Sequence, residues 1–241
     1  MSATGRSDVR DPDDNYATPA WLSKAIFPHL RGKVLLDPSC GKGAILEAWN
    51  GPAIGLELDQ RRAAGADEIC QRQPTYVIGD VLCMNALESE GVREWRGDFV
   101  CDNPPFRLAM EFIQTALVWS SSKKDVAFLL RLSFLASQKR SDFHKKYPCD
   151  VFVPDRRPEF CASLKCTGKK DAKDVRKPGC GWYLVQELDA PRPRKCPDCG
   201  CVVQISTSDN SDYGWFVWGP GRGNRWFPLD TDHRLTLPRD L

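Results

Sequence analysis

Val34-Leu35-Leu36-Asp37-Pro38-Ser39-Cys40-Gly41-Lys42-Gly43 is the stretch that decides the fold class. An apolar run stops at an acid, and a turn with two glycines follows. Ala44-Ile45-Leu46-Glu47-Ala48-Trp49 then has helical character. Strand, turn and helix in this order open an α/β unit. Gly41 and Gly43 let the turn's backbone come close to a ligand. The third glycine of a dinucleotide fingerprint would fall at position 46, which holds Leu46, and no Walker lysine is present. Pyrophosphate ligands are disfavoured accordingly.

The same pattern recurs outward from this stretch. Ala53-Ile54-Gly55-Leu56 ends at Glu57, Tyr76-Val77-Ile78 ends at Gly79-Asp80, and Phe99-Val100-Cys101 ends at Asp102. Helical stretches begin at Asp59 and run from Leu108 to Trp119. Val126 to Leu132 is a further apolar run, and Leu130 to Leu135 and Val151 to Pro154 continue the sheet. Short apolar strands separated by helices predict a mostly parallel twisted sheet with helices on both faces. Asp37, Glu57, Asp80 and Asp102 would then meet at the carboxyl ends of the strands, where open α/β sheets bind ligands. One acid after a strand is ordinarily a helix N-cap; four in register point to a site. A nucleoside with a charged amino-acid tail suits it. Glu57, 20 residues after Asp37, can take ribose hydroxyls, and Asp80 can take an adenine amino group.

The length of 241 residues fits one α/β domain with a small appendage. Hydrophobic content of 41% and charged content of 27% are those of a globular, water-soluble chain. No apolar run approaches the roughly 18–20 residues that span a bilayer, so no membrane partner is expected. Residues 1–14 are polar and read as a flexible leader, and a cytoplasmic location follows. The eleven cysteines are odd in number and lack a secretion signal, which argues against a disulfide framework. Cys40, Cys70, Cys83, Cys101 and Cys149 are scattered and suit small buried positions. His29, His144 and His233 read as ordinary surface or core residues.

The other six cysteines crowd a Pro- and Lys-rich segment: Cys161, Cys166, Cys180, Cys196, Cys199 and Cys201. Cys196-Pro197-Asp198-Cys199-Gly200 has zinc-knuckle spacing. A structural Zn2+ held by Cys166, Cys180, Cys196 and Cys199 is the expectation. Cys161 can replace either of the first two, and Cys201 can replace Cys199. Between Lys165 and Lys195 nine basic residues face four acidic ones, an excess of +5 that suits phosphates or a solvated loop.

Asp37-Pro38-Ser39-Cys40-Gly41-Lys42-Gly43 resembles the D-P-x-C-G-x-G motif of amino-methyltransferases. Tyr16-Ala17-Thr18-Pro19 resembles their N-terminal motif, in which Thr-Pro contacts the methionine moiety of the cofactor. The same Thr18-Pro19 also suits the start of a helix over Ala20-Trp21-Leu22. Asp102-Asn103-Pro104-Pro105-Phe106 matches (D/N/S)-P-P-(Y/F), with Asn in first place. In these features the chain is similar to phage and bacterial DNA N6-adenine methyltransferases. The resemblance implies a Rossmann-like fold dependent on S-adenosylmethionine. It assigns the cofactor to Tyr16, Thr18, Pro19, Asp37, Pro38, Gly41, Gly43, Glu57, Asp80 and Asn103. Catalysis falls to Asn103, Pro104, Pro105 and Phe106, with Phe106 and Phe160 stacking on the target base. That base must be flipped out of a duplex, so DNA is the expected partner.

The resemblance covers residues 15–160, the methyltransferase domain, and resumes at 211–218 inside a returning segment, 206–241. Residues 161–205 form the Cys-rich, zinc-ribbon-like insertion. Arg157 to Phe160 and Tyr213 to Trp218, the expected last strand, also resemble segments of the phage enzymes, and Trp215, Phe216 and Trp218 read as core. No target-recognition domain fits between Asp80 and Asn103. RNA adenine and protein glutamine share the target geometry and stay open as substrates. An inactive, zinc-containing nucleic-acid binder on the same scaffold is the reading from another class.

Overall fold

The computed structural model describes residues 16–71, 81–83, 97–121, 123–160, 162–167, 183–186, 193–206 and 211–230. The chain divides into two compact units. One comprises Thr18–Arg157 and Ser211–Leu241, the other Met1–Ala17 and Pro158–Asn210.

The larger unit is an eight-stranded sheet. Its strands are β1 (Leu35–Asp37), β2 (Ala53–Glu57), β3 (Val81–Cys83), β4 (Phe99–Asp102), β5 (Asp125–Arg131), β6 (Asp150–Pro154), β10 (Tyr213–Trp218) and β11 (Trp226–Leu229). The order is β11-β6-β10-β5-β4-β1-β2-β3. Only β10 runs antiparallel to its neighbours, β5 and β6. The mostly parallel sheet predicted from the apolar runs is present. Helices α1 (Ala20–Ile26), α2 (Ala44–Ala48), α3 (Gln60–Gln71), α4 (Ala109–Ser120) and α5 (Ser141–Lys146) connect and cover it. Among the described residues no helix is long and apolar enough to cross a membrane.

The core follows from strand composition. β4, β5 and β10 are buried along nearly their whole length, as strands covered on both faces must be. Trp215, Phe216 and Trp218 are core residues, as the sequence suggests. Each indole N–H is satisfied by a distant carbonyl: Trp215 donates to Leu22 at 3.1 Å and Trp218 to Tyr147 at 3.1 Å.

Three sequence expectations need correction. The strand beside β2 is Val81–Cys83, so it begins after Asp80 rather than ending at it. Two short apolar runs compete there, and periodicity does not rank them. Residues 72–80, including Tyr76, Val77, Ile78 and Asp80, lie outside the described residues. β5 stops at Arg131, and Leu132–Phe134 is a 3-10 turn rather than more strand. Nor is β10 the last strand: β11 follows and pairs parallel with β6. Its Pro228 is tolerated because β11 is an edge.

The smaller unit carries a three-stranded antiparallel sheet, β8 (Tyr183–Gln186), β7 (Ala162–Cys166) and β9 (Val203–Ser206), in that order. Its described core is small: Leu164, Cys166, Cys196 and Val203, with Cys201 packed against them.

Candidate active site

The order of the parallel strands fixes where a ligand belongs. From β1 the chain moves to β2 and β3 on one side, then crosses to β4 on the other. The reversal lies between β1 and β4, the position where doubly wound sheets open a crevice at their carboxyl ends. Asp37 ends β1 and Asp102 ends β4. Both are fully buried, at 1% and 0% exposure.

The loop after β1 is held to β2 by a set of specific contacts. The amide of Cys40 donates to Leu56 O at 3.0 Å, and that of Gly43 to Cys40 O at 2.8 Å. Glu57 accepts from the amide of Gly41 at 2.9 Å and from that of Asp59 at 2.9 Å. Gly41 (φ 56°) and Gly43 (φ 88°) occupy the left-handed region, which no other residue type enters so cheaply. Gly55 is a determinant that sequence reading missed. A Cβ there would sit 2.6 Å from Leu46 Cδ1 and 2.9 Å from Cys40 Sγ, so this glycine lets the loop and α2 close on β2. Glu57 retains acceptor capacity beyond its two amides, because a carboxylate offers about four lone-pair sites.

Asp37 and Asp102 carry the unusual electrostatics. Burial pushes the Asp37 carboxyl well above the usual range, and the neighbouring Asp102 and Glu57 add to the effect. Burial likewise raises Asp102, to about 7, against the hydrogen bond that Ser39 Oγ donates to it at 2.8 Å. Neither Asp37 oxygen nor Asp102 Oδ2 makes a full hydrogen bond among the described residues, although the backbone amides of Ser39 and Asn103 approach Asp37 and Asp102 respectively.

The catalytic-motif loop leaves β4 directly from Asp102. Asn103 is half-buried and Pro104 buried, and Pro105 begins the 3-10 turn Phe106–Leu108. The Phe106 ring lies beside Tyr213, with ring centres 5.9 Å apart. The Arg131 guanidinium sits 4.9 Å from the Phe106 ring centre. Arg131 and Tyr213 come together because they are register partners where β5 ends and β10 begins. Tyr213 belongs to a segment that the sequence singles out, whereas Arg131 is found by the strand pairing alone.

The remaining predicted residues are distributed as follows. Thr18 is buried, and Pro19 caps α1, its carbonyl accepting from Leu22 and Ser23. Pro38 is buried in the loop. Tyr16 and Phe160 belong to the smaller unit, where their rings lie 6.5 Å apart. Asp80 is outside the described residues. Cys40, Cys101 and Cys149 are buried and form no disulfide.

In the smaller unit the Sγ atoms of Cys166, Cys196 and Cys199 all lie within 4.8 Å of one another. Those of Cys166 and Cys199 are 3.5 Å apart. Tetrahedral zinc with Zn–S of about 2.3 Å separates two sulfurs by roughly 3.8 Å, so the group fits. Cys196 and Cys199 are arranged by a tight turn. The amide of Gly200 donates to Cys196 O at 2.8 Å, and the amide of Cys196 to Cys201 O at 2.8 Å. Cys201 packs nearby and stands outside this group of three thiols. Cys161 and Cys180 lie outside the described residues.

No protein-family model matches the chain, and no curated protein sequence matches it. Solved structures do. The M protein of the type I restriction enzyme EcoKI is similar over 90% of this chain and 48% of its own, with 14% identity and a TM-score of 0.53. The modification subunit of a proposed type I restriction enzyme from Vibrio vulnificus matches 94% of this chain and 48% of its own, at 12% identity and a TM-score of 0.51. A proposed class I S-adenosylmethionine-dependent methyltransferase from Listeria monocytogenes matches 87% of this chain and 62% of its own, at 12% identity and a TM-score of 0.50. The fold is that of the class I S-adenosylmethionine-dependent methyltransferases. This chain spans about half the length of the two restriction-enzyme proteins.

Proposed function

We propose that this chain is an S-adenosylmethionine-dependent methyltransferase that acts on N6 of adenine in DNA. One observation carries the reading. The Asp102-Asn103-Pro104-Pro105-Phe106 loop springs from the strand switch point, beside the buried acids at the ends of β1 and β2. Among the described residues Asp37 has no ion pair with a Lys, Arg or His and no full hydrogen bond on either oxygen, which suits a cofactor carrying positive charge. The cofactor supplies an electrophilic methyl group on a sulfonium. Asp37 and Glu57 bind and orient it, the first through charge and the second through ribose hydroxyls, and Gly41 and Gly43 leave room over the loop.

The chain's own catalytic work is positioning and polarisation. The Asn103 amide oxygen and the Pro104 carbonyl each accept one N–H of the target amine. That would draw the nitrogen lone pair out of the ring system and leave it available to the methyl group that the cofactor would supply. The same two acceptors stabilise the positive charge that develops, and the surplus proton leaves to solvent. Prolines fix the direction of the carbonyl. Phe106 stacks on the extruded base. Two of the similar structures are type I restriction-enzyme modification proteins, which favours DNA over RNA or protein.

A structural Zn2+ in the smaller unit is part of the proposal, held by Cys166, Cys196, Cys199 and, as fourth ligand, Cys180. With so small a described core, metal binding would supply folding energy. The basic excess of this insertion is assigned to phosphate contact. Charge reversal at Lys169, Lys170 and Lys173 should weaken DNA binding and flatten its salt dependence.

Radiolabelled methyl transfer to duplex DNA, RNA and protein, followed by nucleoside analysis, tests the function. Label in N6-methyladenine from DNA is the expected result. Label confined to RNA or to glutamine would replace the substrate, and no label in any of them would leave the inactive scaffold.

A further inference from the structure

The acids at the strand switch point are electrostatically incomplete. Asp37 and Asp102 lie on adjacent parallel strands, within hydrogen-bonding reach of each other and almost wholly out of water. The groups facing them are acidic or neutral. Glu57 faces them from β2, Ser39 from the loop, and Asn103 contributes a backbone amide. Cys101 sits beside both on β4, its thiol pushed up by burial and by the two acids. Among the described residues neither carboxyl has an ion pair with Lys, Arg or His. Contrast Asp125 and Asp150, equally buried, which are met by Arg31, Arg222 and Arg225. The fold supplies counter-charges to those two acids and withholds them from this pair. Two adjacent anions without a cation are not stable in such a place.

We propose that the Asp37–Asp102 pair shares one proton while the site is empty and releases it when the cationic cofactor enters. The inference rests on reading the crevice as an S-adenosylmethionine site. What it adds is Asp102 as a second member of the charge site, and a proton that exchanges with the ligand. The balance is simple. The empty pair carries one proton and one negative charge. On binding, the proton passes to solvent and the pair becomes doubly negative against the ligand's positive charge. Ser39 fixes Asp102 by its hydroxyl, so the shared proton lies toward the unpartnered oxygens of the pair. Binding in this scheme weakens as pH falls, by up to tenfold per unit, because the released proton is opposed by a higher proton concentration in solution.

Calorimetric titration of the whole protein with S-adenosylmethionine at pH 6, in buffers of different ionisation enthalpy, measures the proton directly. At that pH the ligand's ammonium is itself fully protonated, since an α-amino group titrates near ~7.7–8.0. About one proton released per cofactor bound is expected. S-adenosylhomocysteine, which keeps the ammonium and lacks the sulfonium, separates the two charges as the trigger. Asp102→Asn should reduce the release sharply, because an amide there can donate to Asp37 and keep it ionised. Infrared difference spectra of protein with carbon-13-labelled aspartate give a second readout that needs no variant. A protonated-carboxyl band should be present in the empty protein and vanish on binding. Cofactor binding with no proton release and no band change would overturn this inference and leave the cofactor reading intact. Unchanged release in Asp102→Asn would overturn it too. No binding at all, checked by equilibrium dialysis with labelled cofactor, would overturn both.

Discussion

Arg131 lies over Phe106, its guanidinium carbon 4.9 Å from the ring centre, while its Nε donates to the Tyr213 hydroxyl at 3.2 Å. The cation occupies one side of the ring that the proposed mechanism presents to a base. Such a contact is worth about 0.5–2 kcal/mol, enough to fix the ring's orientation. Arg131→Ala should therefore lower kcat/KM for methyl transfer by roughly 2- to 30-fold, with cofactor affinity unchanged. Arg131→Lys should recover part of the loss. Steady-state kinetics on a defined duplex, alongside cofactor titration, measures both; equal kinetics in wild type and Arg131→Ala would remove Arg131 from any positioning role.

Asn103→Ala removes one of the two acceptors that polarise the target amine. Loss of a preorganised group of this kind costs on the order of 10²–10³ in kcat. Cofactor affinity should change little by comparison. Single-turnover transfer rates measured at saturating cofactor separate the two effects.

The Asp37 and Asp102 carboxyls are raised relative to an unfolded chain, so the empty protein binds more protons folded than unfolded. Their contribution to stability is complete below about pH 4 and is lost as pH rises through about 7 for Asp102, and further for Asp37. Asp102→Asn should flatten this fall, which for one group is at most about 1.4 kcal/mol per pH unit. The variant should gain on wild type between pH 5 and 8 in denaturant titrations, by the approximate linkage slope given.

Cys199→Ser should lose bound zinc, whereas Cys201→Ser should retain it, since only Cys199 joins Cys166 and Cys196 in the thiol group. Metal content by mass spectrometry of the purified variants decides this. Chelation should loosen the smaller unit, followed as increased proteolysis between the cysteines.

Asp125 receives the backbone amide of Arg31 at 2.9 Å, its Nε at 3.0 Å and Arg222 Nη2 at 3.0 Å, with its side chain fully buried. Burial pushes this carboxyl up, but the hydrogen bonds from Arg31 and Arg222 outweigh it and hold it below the ordinary range. Asp125→Ala removes the carboxylate that Arg31 and Arg222 share, while Arg222 keeps Asp150 at 3.7 Å, and loss of such charged hydrogen bonds is worth roughly 1.5–3 kcal/mol. A large fall in Tm with little change in cofactor affinity is expected.

Much of the sheet was legible because β1, β2, β4, β5 and β10 are continuous apolar runs that end at polar residues. The Asp37–Gly43 loop declared itself through its glycines. Val81–Cys83 and Trp226–Leu229 were not legible. The first follows another apolar run closely, and the second is an exposed, Pro-containing edge whose pairing comes from β6 rather than from its own pattern. The meeting of Asp37 with Asp102, and of Arg131 with Phe106 and Tyr213, depends on strand order. Periodicity reports which face a residue takes, not which strand becomes its neighbour. The thiol group was half legible: the Cys196–Cys199 knuckle is local, while Cys166 joins it through β7 pairing with β9.

Arg157 Nε and Asp212 Oδ1 lie 2.7 Å apart, where the chain leaves the large sheet after β6 and re-enters it at β10. These strands are antiparallel neighbours, paired at Phe152 and Trp215. The two stems of the Cys-rich segment are therefore a hairpin's two feet, and everything between them is, to the sheet, the contents of a single loop. Its length and sequence can drift without shifting any strand's register. The segment is thus attached as a cassette between 158 and 210, and the strand order of the large sheet does not depend on what the cassette carries.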